Sequence, residues 1–184
     1  MRKLFIFNMI ALDGYFEGPG RDISWHKVDT EFNEFAIQQL DEIGTLLFGR
    51  VTYELMAGYW PTPTAIKDDP IVAGKMNAME KVVFSSSLAK ADWNNTRLVR
   101  ESAEKEVQHL KEQNGKAVAI LGSSELANSL SRVHLIDEYR IIINPVALGA
   151  GTPLFKETGG RMNLTLTKSR VFKSGNVLLY YHLA

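Results

Sequence analysis

The stretch from residue 118 to residue 130, VAILGSSELANSL, limits more than any other how this chain can fold. Its apolar run stops at Gly122, and small and acidic residues follow. Leu126, Ala127 and Leu130 then recur at helical spacing. This pattern predicts a buried strand, a tight glycine turn and the start of a helix. A chain that repeats such a unit folds into alternating strands and helices, and therefore into a mainly parallel sheet.

The glycine turn of this unit is a candidate anion site. A hydroxyl of Ser123 or Ser124 is predicted to cap the helix, because it can satisfy the free amides of the first turn. Small side chains also let an anion approach those amides, and the helix dipole favours negative charge at this end. The alternative is that Gly122 and the two serines only turn the chain and cap a helix.

Residues 45–56, TLLFGRVTYELM, form a second unit of the same kind. The pattern predicts a short buried strand, a turn at Gly49 and a helix that begins at Arg50. A cation beside free helix amides suits a phosphate group, and Thr52 adds a hydroxyl in the first turn. The alternative is that Arg50 is an ordinary surface arginine. Three residues of this helix are predicted to pack against the sheet: Tyr53, Leu55 and Met56.

A third strand, predicted over residues 81–85, runs into a row of three serines. A site specific for NAD usually carries an acid near the end of such a strand, where it binds the ribose 2′-hydroxyl. Here the hydroxyls of Ser85, Ser86 and Ser87 follow the strand instead, and hydroxyls can donate hydrogen bonds to a 2′-phosphate. The alternative is an ordinary polar loop.

The first strand and the loop after it hold further candidates. Residues 4–10, LFIFNMI, predict a strand covered on both faces, and the amide of Asn8 interrupts this apolar run. That amide needs partners, so Asn8 is predicted to border a cavity. Residues 11–20 contain three glycines and a proline and predict a mobile loop at the strand's carboxyl end, where α/β sheets bind ligands. Asp13 is the candidate there to orient a substrate or relay a proton, unless Asp13 and Gly14 form only a simple turn.

The remaining pattern completes the fold class. A first helix is predicted to be capped by Asp29 or Thr30 and to end at Gly44. Further strands are predicted at residues 96–99, 136–146, 162–172 and 177–183, the last two forming a closing hairpin. The fold class is therefore α/β: three layers, with helices on both faces of a mainly parallel sheet and an antiparallel C-terminal hairpin. At 184 residues, the chain is expected to form one domain over residues 1–184.

Composition excludes several classes of function. The 21 Lys and Arg residues balance the 21 Asp and Glu residues, so no excess charge points to nucleic acid or to an anionic membrane. The chain has no cysteine, which excludes disulfides and thiolate chemistry and fits a reducing compartment. The first apolar run is too short for a signal peptide or a membrane span, so a cytoplasmic protein is expected. Four scattered histidines predict no metal site.

Five motifs occur in one order along the chain: LDG, FGRVTYE, KVVFSSSL, ILGSSELANSL and LIDEYRIIINPVALGAGTPLF. In this order they resemble the dihydrofolate reductase superfamily, and within it the reductase domain of bifunctional riboflavin-biosynthesis deaminase-reductases. The resemblance implies bound NADPH, with its pyrophosphate at the two glycine turns and its 2′-phosphate and adenosine at the serines. Carried over by motif, the cofactor-binding residues are Gly49, Arg50, Thr52, Ser85, Ser86, Gly122, Ser123, Ser124 and Glu125.

These features lead to one principal hypothesis, an NADPH-dependent reductase that transfers a hydride to a small pteridine or aminopyrimidine-like substrate. Asn33 lies about where dihydrofolate reductases carry the acid that binds the pterin, which disfavours folate as the substrate. Asp13 is the catalytic candidate, and the substrate-binding candidates are Asn8, Trp25, Tyr53 and Trp60. The resemblance also implies a homodimer, through residues 136–146 or the closing hairpin. The alternative is a nucleotide-binding module of the same fold that sequesters a ligand without turnover.

Overall fold

A computed structural model describes residues 1–156 and 158–184. The strands, in chain order, are β1 (Leu4–Ala11), β2 (Tyr15–Glu17), β3 (Ile43–Gly49), β4 (Glu80–Phe84), β5 (Thr96–Val99), β6 (Ala117–Leu121), β7 (Glu138–Asn144), β8 (Thr152–Pro153), β9 (Leu164–Val171) and β10 (Val177–Leu183). The helices are α1 (Thr30–Asp41), α2 (Arg50–Tyr59), α3 (Pro63–Asp68), α4 (Pro70–Ala78), α5 (Ala103–Glu112) and α6 (Ser124–Arg132). Within these described residues, no helix is long and apolar enough to cross a membrane.

The central sheet has eight strands in the order β5-β4-β3-β6-β1-β7-β10-β9. Its strands pair in parallel except for β10, which is antiparallel to both β7 and β9. Helices cover both faces, so the predicted fold class is confirmed. On the face that we call the α1 face, buried side chains of α1, α2 and α4 pack on the sheet: Leu40, Tyr53 and Met76. On the other, the α6 face, α5 and α6 contribute Val107 and Leu130.

Double coverage explains why β1 is almost entirely apolar. Successive side chains of a strand point to opposite faces of its sheet. Leu4 and Ile6 therefore lie in the core of the α6 face, whereas Phe5 lies in the core of the α1 face. Each face of a strand in this position needs its own apolar residues, which replaces the usual alternation of apolar and polar residues by a continuous run.

Several predicted boundaries and packing residues are wrong. Asp29 caps α1 as predicted, since its carboxylate accepts a hydrogen bond from the amide of Phe32 at 2.8 Å. However, α1 ends at Asp41, and Gly44 already belongs to β3. Leu55 is 54% exposed instead of packing against the sheet. The strand predicted at residues 136–146 lies between β1 and β10, so it offers no free edge, and the predicted homodimer keeps only the hairpin as a candidate interface.

The predicted mobile loop after β1 carries β2, which pairs antiparallel with β8. We call these two strands the cover sheet. The hydroxyl of Thr152 donates to Glu17 Oε1 at 2.9 Å, and the amide of Leu154 donates to the carbonyl of Gly14 at 3.1 Å. Two glycine-rich loops that are far apart in the sequence therefore form one hydrogen-bonded layer.

The cover sheet supplies a prediction about stability. Gly151 has φ +144°, and a Cβ there would lie 2.1 Å from the carbonyl oxygen of Glu17. We expect Gly151→Ala to lower the free energy of unfolding by about 2–4 kcal/mol, because backbone atoms must move apart. Gly149→Ala is the matched control: Gly149 has φ +72° and open space around it, so only backbone strain of about 1–2 kcal/mol is expected. Urea unfolding measures both variants. An equal decrease in the free energy of unfolding for Gly151→Ala and Gly149→Ala would contradict this account of the cover sheet.

Candidate active site

A crevice opens between two neighbouring strands whose following helices go to opposite faces of the sheet. β3 and β6 are neighbours in the sheet, yet the helix after β3, α2, packs on the α1 face and the helix after β6, α6, packs on the α6 face. The two helices therefore diverge from the carboxyl ends of adjacent strands. Open α/β sheets bind their ligands in crevices of this kind.

Both helices present free amides to this crevice. The N-cap residues of α2 and α6 are Gly49 and Ser123, and within the described residues neither provides a side-chain cap. In contrast, carboxylates cap α1 and α4, where Asp29 and Asp69 accept hydrogen bonds from amides of the first turn. The uncapped amides carry the positive end of the helix dipole, so the crevice favours an anion.

Ser123, one of the two predicted cap residues, occupies the N-cap position of α6, but the predicted capping hydrogen bond is wrong, because its hydroxyl joins the two glycine turns instead. The backbone of Ser123 lies in the left-handed region, at φ 57°. The Ser123 hydroxyl accepts a hydrogen bond from the amide of Gly49 at 2.9 Å. In return, the amide of Ser123 donates to Thr52 Oγ1 at 3.0 Å. Gly122 has φ +70°, a conformation that favours glycine, and a Cβ there would make a tight contact of 3.1 Å with Thr52 Cγ2. The structure thus brings together four predicted cofactor residues: Gly49, Thr52, Gly122 and Ser123.

Arg50 begins α2 as predicted, at the edge of this crevice. Its side chain is 42% exposed, and its Nη1 lies 2.9 Å from Glu54 Oε2. Exposed ion pairs of this kind are weak, so the guanidinium can exchange the carboxylate for another anion. Ser124 and Glu125 occupy the first turn of α6, where Ser124 is half-buried and Glu125 is exposed.

The serine turn lies beside the same crevice, because Phe84, the last residue of β4, pairs with Gly49. The hydroxyl of Ser85 accepts hydrogen bonds from the amides of Ser87 and Leu88, at 3.3 and 3.0 Å. This bonding fixes the turn.

Arg100 is a cation of this region that the sequence reasoning missed. Its guanidinium donates to the carbonyls of Ser86, at 3.0 Å, and Leu88, at 2.7 Å. The signal that could have identified it is its position just after β5, the next strand along the same edge.

Asn8 has no hydrogen-bonding partner in the described residues for either polar atom of its side chain, although the residue is only 1% exposed. It lies where β6 has just ended, since Phe7 pairs with Leu121, the last residue of β6. Asn8 is therefore beside the turn at Gly122. Buried amides are nearly always satisfied, so this exception needs an explanation.

The cover sheet reaches the turn at Gly122 through Phe16, whose Cζ lies 3.6 Å from the place of a Cβ on Gly122. Asp13, at the start of the same loop, accepts hydrogen bonds at Oδ2 from the amides of Leu148 and Gly149, at 2.9 and 2.8 Å. Asp13 thus holds the two loops together. Its catalytic role stays a prediction.

Among the aromatic residues predicted to bind substrate, the assignment of Tyr53 is wrong. It is 4% exposed, and its hydroxyl accepts a hydrogen bond from the amide of Trp93 at 3.0 Å, so it belongs to the core of the α1 face. Trp60 and Trp25 are half-buried. The indole of Trp60 donates to Met56 Sδ at 3.2 Å, and that of Trp25 donates to the carbonyl of Asp22 at 2.9 Å. Substrate binding by these two tryptophans stays a prediction.

Two buried asparagines fix the segment that carries Trp25. The amide of Lys27 donates to Asn144 Oδ1 at 3.0 Å, and the carbonyl of Lys27 accepts from Asn176 Nδ2 at 2.9 Å. The neighbouring His26 has a buried Nε2 with no partner in the described residues. Burial lowers the pKa of His26 to about 4, against the weaker opposing effect of Asp22. The imidazole is therefore neutral at pH 7.

Two surface concavities lie away from the crevice. One, of about 590 Å³, is at the start of β4 and β5 beside Glu80 and Asn95. The other, of about 120 Å³, is at the end of α6 beside Arg132 and Arg161. Both are at the amino end of the parallel strands, opposite the glycine turns, and neither contains a predicted site residue.

His26 predicts how stability depends on pH. The unfolded imidazole has an ordinary pKa near 6.5, whereas the folded one has a pKa of about 4, so between these values the unfolded chain binds one more proton. The free energy of unfolding should therefore fall by about 2 kcal/mol as the pH drops from 6.5 to 4. In His26→Phe this contribution should disappear. The measurement is the free energy of unfolding in urea between pH 6.5 and pH 4. The same decrease with falling pH in the wild type and in His26→Phe would contradict the prediction.

Comparison with known proteins is consistent with this geometry. Residues 2–178 match the RibD C-terminal domain family. The uncharacterized protein YyaP of Bacillus subtilis is 31% identical over 183 residues, which cover 98% of this chain and 95% of YyaP. A candidate riboflavin biosynthesis protein from Shewanella sp. PV-4 shares the fold with a TM-score of 0.76 and 21% identity, covering 99% of both chains. Dihydrofolate reductase from Enterococcus faecalis, complexed with NADP(H) and RAB-propyl, shares it with a TM-score of 0.64 and 16% identity, covering 98% of this chain and 96% of that one.

Proposed function

We propose that this chain, which belongs to the RibD C-terminal domain family, is an NADPH-dependent reductase that transfers a hydride to a small pteridine or aminopyrimidine-like heterocycle. The observation that carries the proposal is the junction of the two glycine turns. Two uncapped helix N-termini are joined there by the hydrogen bonds between Ser123, Gly49 and Thr52. A junction of two such termini suits a pyrophosphate, which carries negative charge on both of its phosphates.

The residues at this junction fit the cofactor. Gly122 has no Cβ and lies against Thr52, so its backbone can approach a ligand closely. Arg50 would hold a phosphate oxygen with its guanidinium, and the amides of the first turns of α2 and α6 would bind the others. The exposed Glu125 is better placed to accept from a sugar hydroxyl than to meet a phosphate, because like charges repel.

The serine turn supports a preference for NADPH over NADH. Ser86 follows β4 without a neighbouring acid, and Arg100 orders the loop by donating to its carbonyls. A 2′-phosphate there would find hydroxyl donors and a guanidinium. The acid that would select a free 2′-hydroxyl is missing from residues 85–89.

The α1 face of the crevice is suited to a flat substrate. Phe7, in the middle of β1, pairs with Leu121, the last residue of β6, and both are only half-buried. Met56 of α2 and Trp60 just after it are half-buried as well. These side chains form an apolar surface against which a heterocycle can lie. On the opposite, α6 face of the crevice, the cover sheet would exclude water, with Phe16 over the Gly122 turn.

When bound, NADPH supplies the hydride. The chain's own part is to bind, to orient and to supply a proton. Within the described residues, Oδ1 of Asp13 makes no hydrogen bond, whereas Oδ2 is held by two loop amides. We assign to Asp13 the orientation of the substrate or the relay of its proton.

A second candidate function is a nucleotide-binding module without turnover. One observation favours it: the carboxylate of Asp13 already joins two loops and is exposed, as a structural residue would be. Such a module would share every phosphate contact with the reductase and would lack only the transfer of a hydride and a proton.

The phosphate contacts predict the effect of removing one cation. Arg50→Ala should weaken NADPH binding about tenfold, because a charge-assisted hydrogen bond to a phosphate is lost. Arg97→Ala is the matched control, since Arg97 is 47% exposed and is also paired with a glutamate, Glu106, but lies on the outer strand β5. Calorimetric titration of both variants measures the effect. Equal affinities for Arg50→Ala and the wild type would contradict the assignment of Arg50.

Turnover distinguishes the reductase from the module. We expect the absorbance of NADPH to fall when the protein is mixed with at least one member of a panel of pteridines and aminopyrimidines. NADH is the control and should be oxidised more slowly, because it lacks the 2′-phosphate. Tight NADPH binding without oxidation by any member of the panel would favour the binding module and count against the reductase.

A further inference from the structure

We propose that Asn8 is a positioning residue that recognises the carboxamide of the nicotinamide ring through its side-chain amide. This inference rests on the proposed function, because it concerns how the same crevice holds the same cofactor. It assigns a role to a buried side chain whose polar atoms nothing else in the described residues satisfies.

The position of Asn8 in β1 determines where its side chain lies. Side chains two residues apart in a strand point to the same face of the sheet, so the side chain of Asn8 lies on the α6 face with that of Ile6. Ile6 belongs to the core of that face. In the pairing of β1 with β7, Asn8 is opposite Ile141, another member of this core. On its other side β6 has ended, and the chain turns away at Gly122. The amide is thus buried under the α6 face, next to the glycine turn.

Other buried asparagines show what Asn8 lacks. Asn128 donates to the carbonyl of Leu154 at 2.9 Å and accepts from the amide of Lys156 at 3.3 Å. Asn144 donates to the carbonyl of Ile10 at 3.3 Å and accepts from the amide of Lys27 at 3.0 Å. Each satisfies both its donor and its acceptor within the protein. Asn8 is as deeply buried, but among the residues that the structure describes neither its donor nor its acceptor has a partner, which is unfavourable unless a ligand completes the bonding.

The chemistry of the unpaired group indicates its partner. A side-chain amide offers a donor, Nδ2, and an acceptor, Oδ1, side by side. Another primary amide presents the complementary pair. Asn8 Nδ2 would donate to the carboxamide oxygen, and Asn8 Oδ1 would accept from the carboxamide nitrogen.

The choice between cofactor and substrate follows from the two faces of the sheet. The apolar surface at Phe7 and Leu121 is on the α1 face, whereas Asn8 is on the α6 face. The Gly122–Ser123 turn that would bind the pyrophosphate also leads into α6. Asn8 is therefore next to a turn proposed to bind the pyrophosphate and on the face opposite the proposed substrate surface. This position favours the nicotinamide riboside, which is covalently joined to the pyrophosphate, over the substrate.

The test compares two ligands that share the adenosine, the 2′-phosphate and the adenosine-side phosphate of the pyrophosphate. NADPH carries the nicotinamide, and adenosine 2′,5′-bisphosphate lacks it. We expect Asn8→Leu to weaken NADPH binding about tenfold and to leave the bisphosphate affinity within twofold of the wild type. Unchanged NADPH affinity overturns the proposal, and so does an equal loss for both ligands, which would indicate general damage to the site. If the wild type binds neither ligand, the proposed function itself has failed.

A second measurement compares two cofactors, first in the wild type and then in Asn8→Leu. The 3-acetylpyridine analogue of NADP⁺ replaces the carboxamide nitrogen by a methyl group, so it cannot donate to Asn8 Oδ1. The wild type should bind NADP⁺ about tenfold more tightly than this analogue. Asn8→Leu should bind the two alike. Equal binding by the wild type, or the same preference in the variant, overturns the proposal.

Stability without any ligand supplies the control for folding. Because the Asn8 amide has no partner within the described residues, Asn8→Leu should leave the urea midpoint unchanged or raise it. Asn128→Leu, which removes a satisfied amide, should lower the midpoint. A fall for Asn8→Leu as large as that for Asn128→Leu would show that the amide is already satisfied, and would overturn the proposal.

Discussion

The hydrogen bonds of Ser123 hold together the two helix N-termini on which the site depends. Its hydroxyl accepts from Gly49 and its amide donates to Thr52, so the first turns of α2 and α6 are fixed to each other across the crevice. The hydroxyl is thereby used between helices and is not available to cap α6. As a result the first-turn amides of both helices are left for a ligand, at the end where the helix dipoles are positive. Ser123 adopts a left-handed backbone to make these bonds, a form of strain that often accompanies functional sites.

The layers on either side of this junction have complementary properties. On the α6 face, the cover sheet brings Phe16 over Gly122, and the unsatisfied amide of Asn8 is buried beside the same turn. On the α1 face, Phe7 and Leu121 remain half-buried at the level where β6 ends. A dinucleotide fixed by its phosphates would have a polar, amide-lined side and an apolar side across β1. That difference suits a reductase, which must hold a nicotinamide and a flat substrate face to face.

The sequence predicts those features that depend on local patterns. The strand–glycine–helix units place Gly49 and Gly122 at strand ends, and the order of the units places those ends at one edge of the sheet. Long-range contacts account for the errors. The local pattern predicts that a hydroxyl of Ser123 or Ser124 caps α6, but the Ser123 hydroxyl bonds to an amide 74 residues away, which no local pattern encodes. Tyr53 is predicted both to pack in the core and to bind substrate, and only the packing is confirmed, because helical spacing alone does not tell a core aromatic from a ligand-binding one. The pairing of β2 with β8 was missed because both strands are too short to show a period.

A crystal structure of the protein with NADPH tests most directly whether α2 and α6 converge on one dinucleotide. The account predicts pyrophosphate oxygens at about 2.7–3.2 Å from first-turn amides of both helices, with the adenosine toward the serine turn. A cofactor that contacts only one of the two helices, or that binds at the opposite, amino end of the parallel strands, would contradict it.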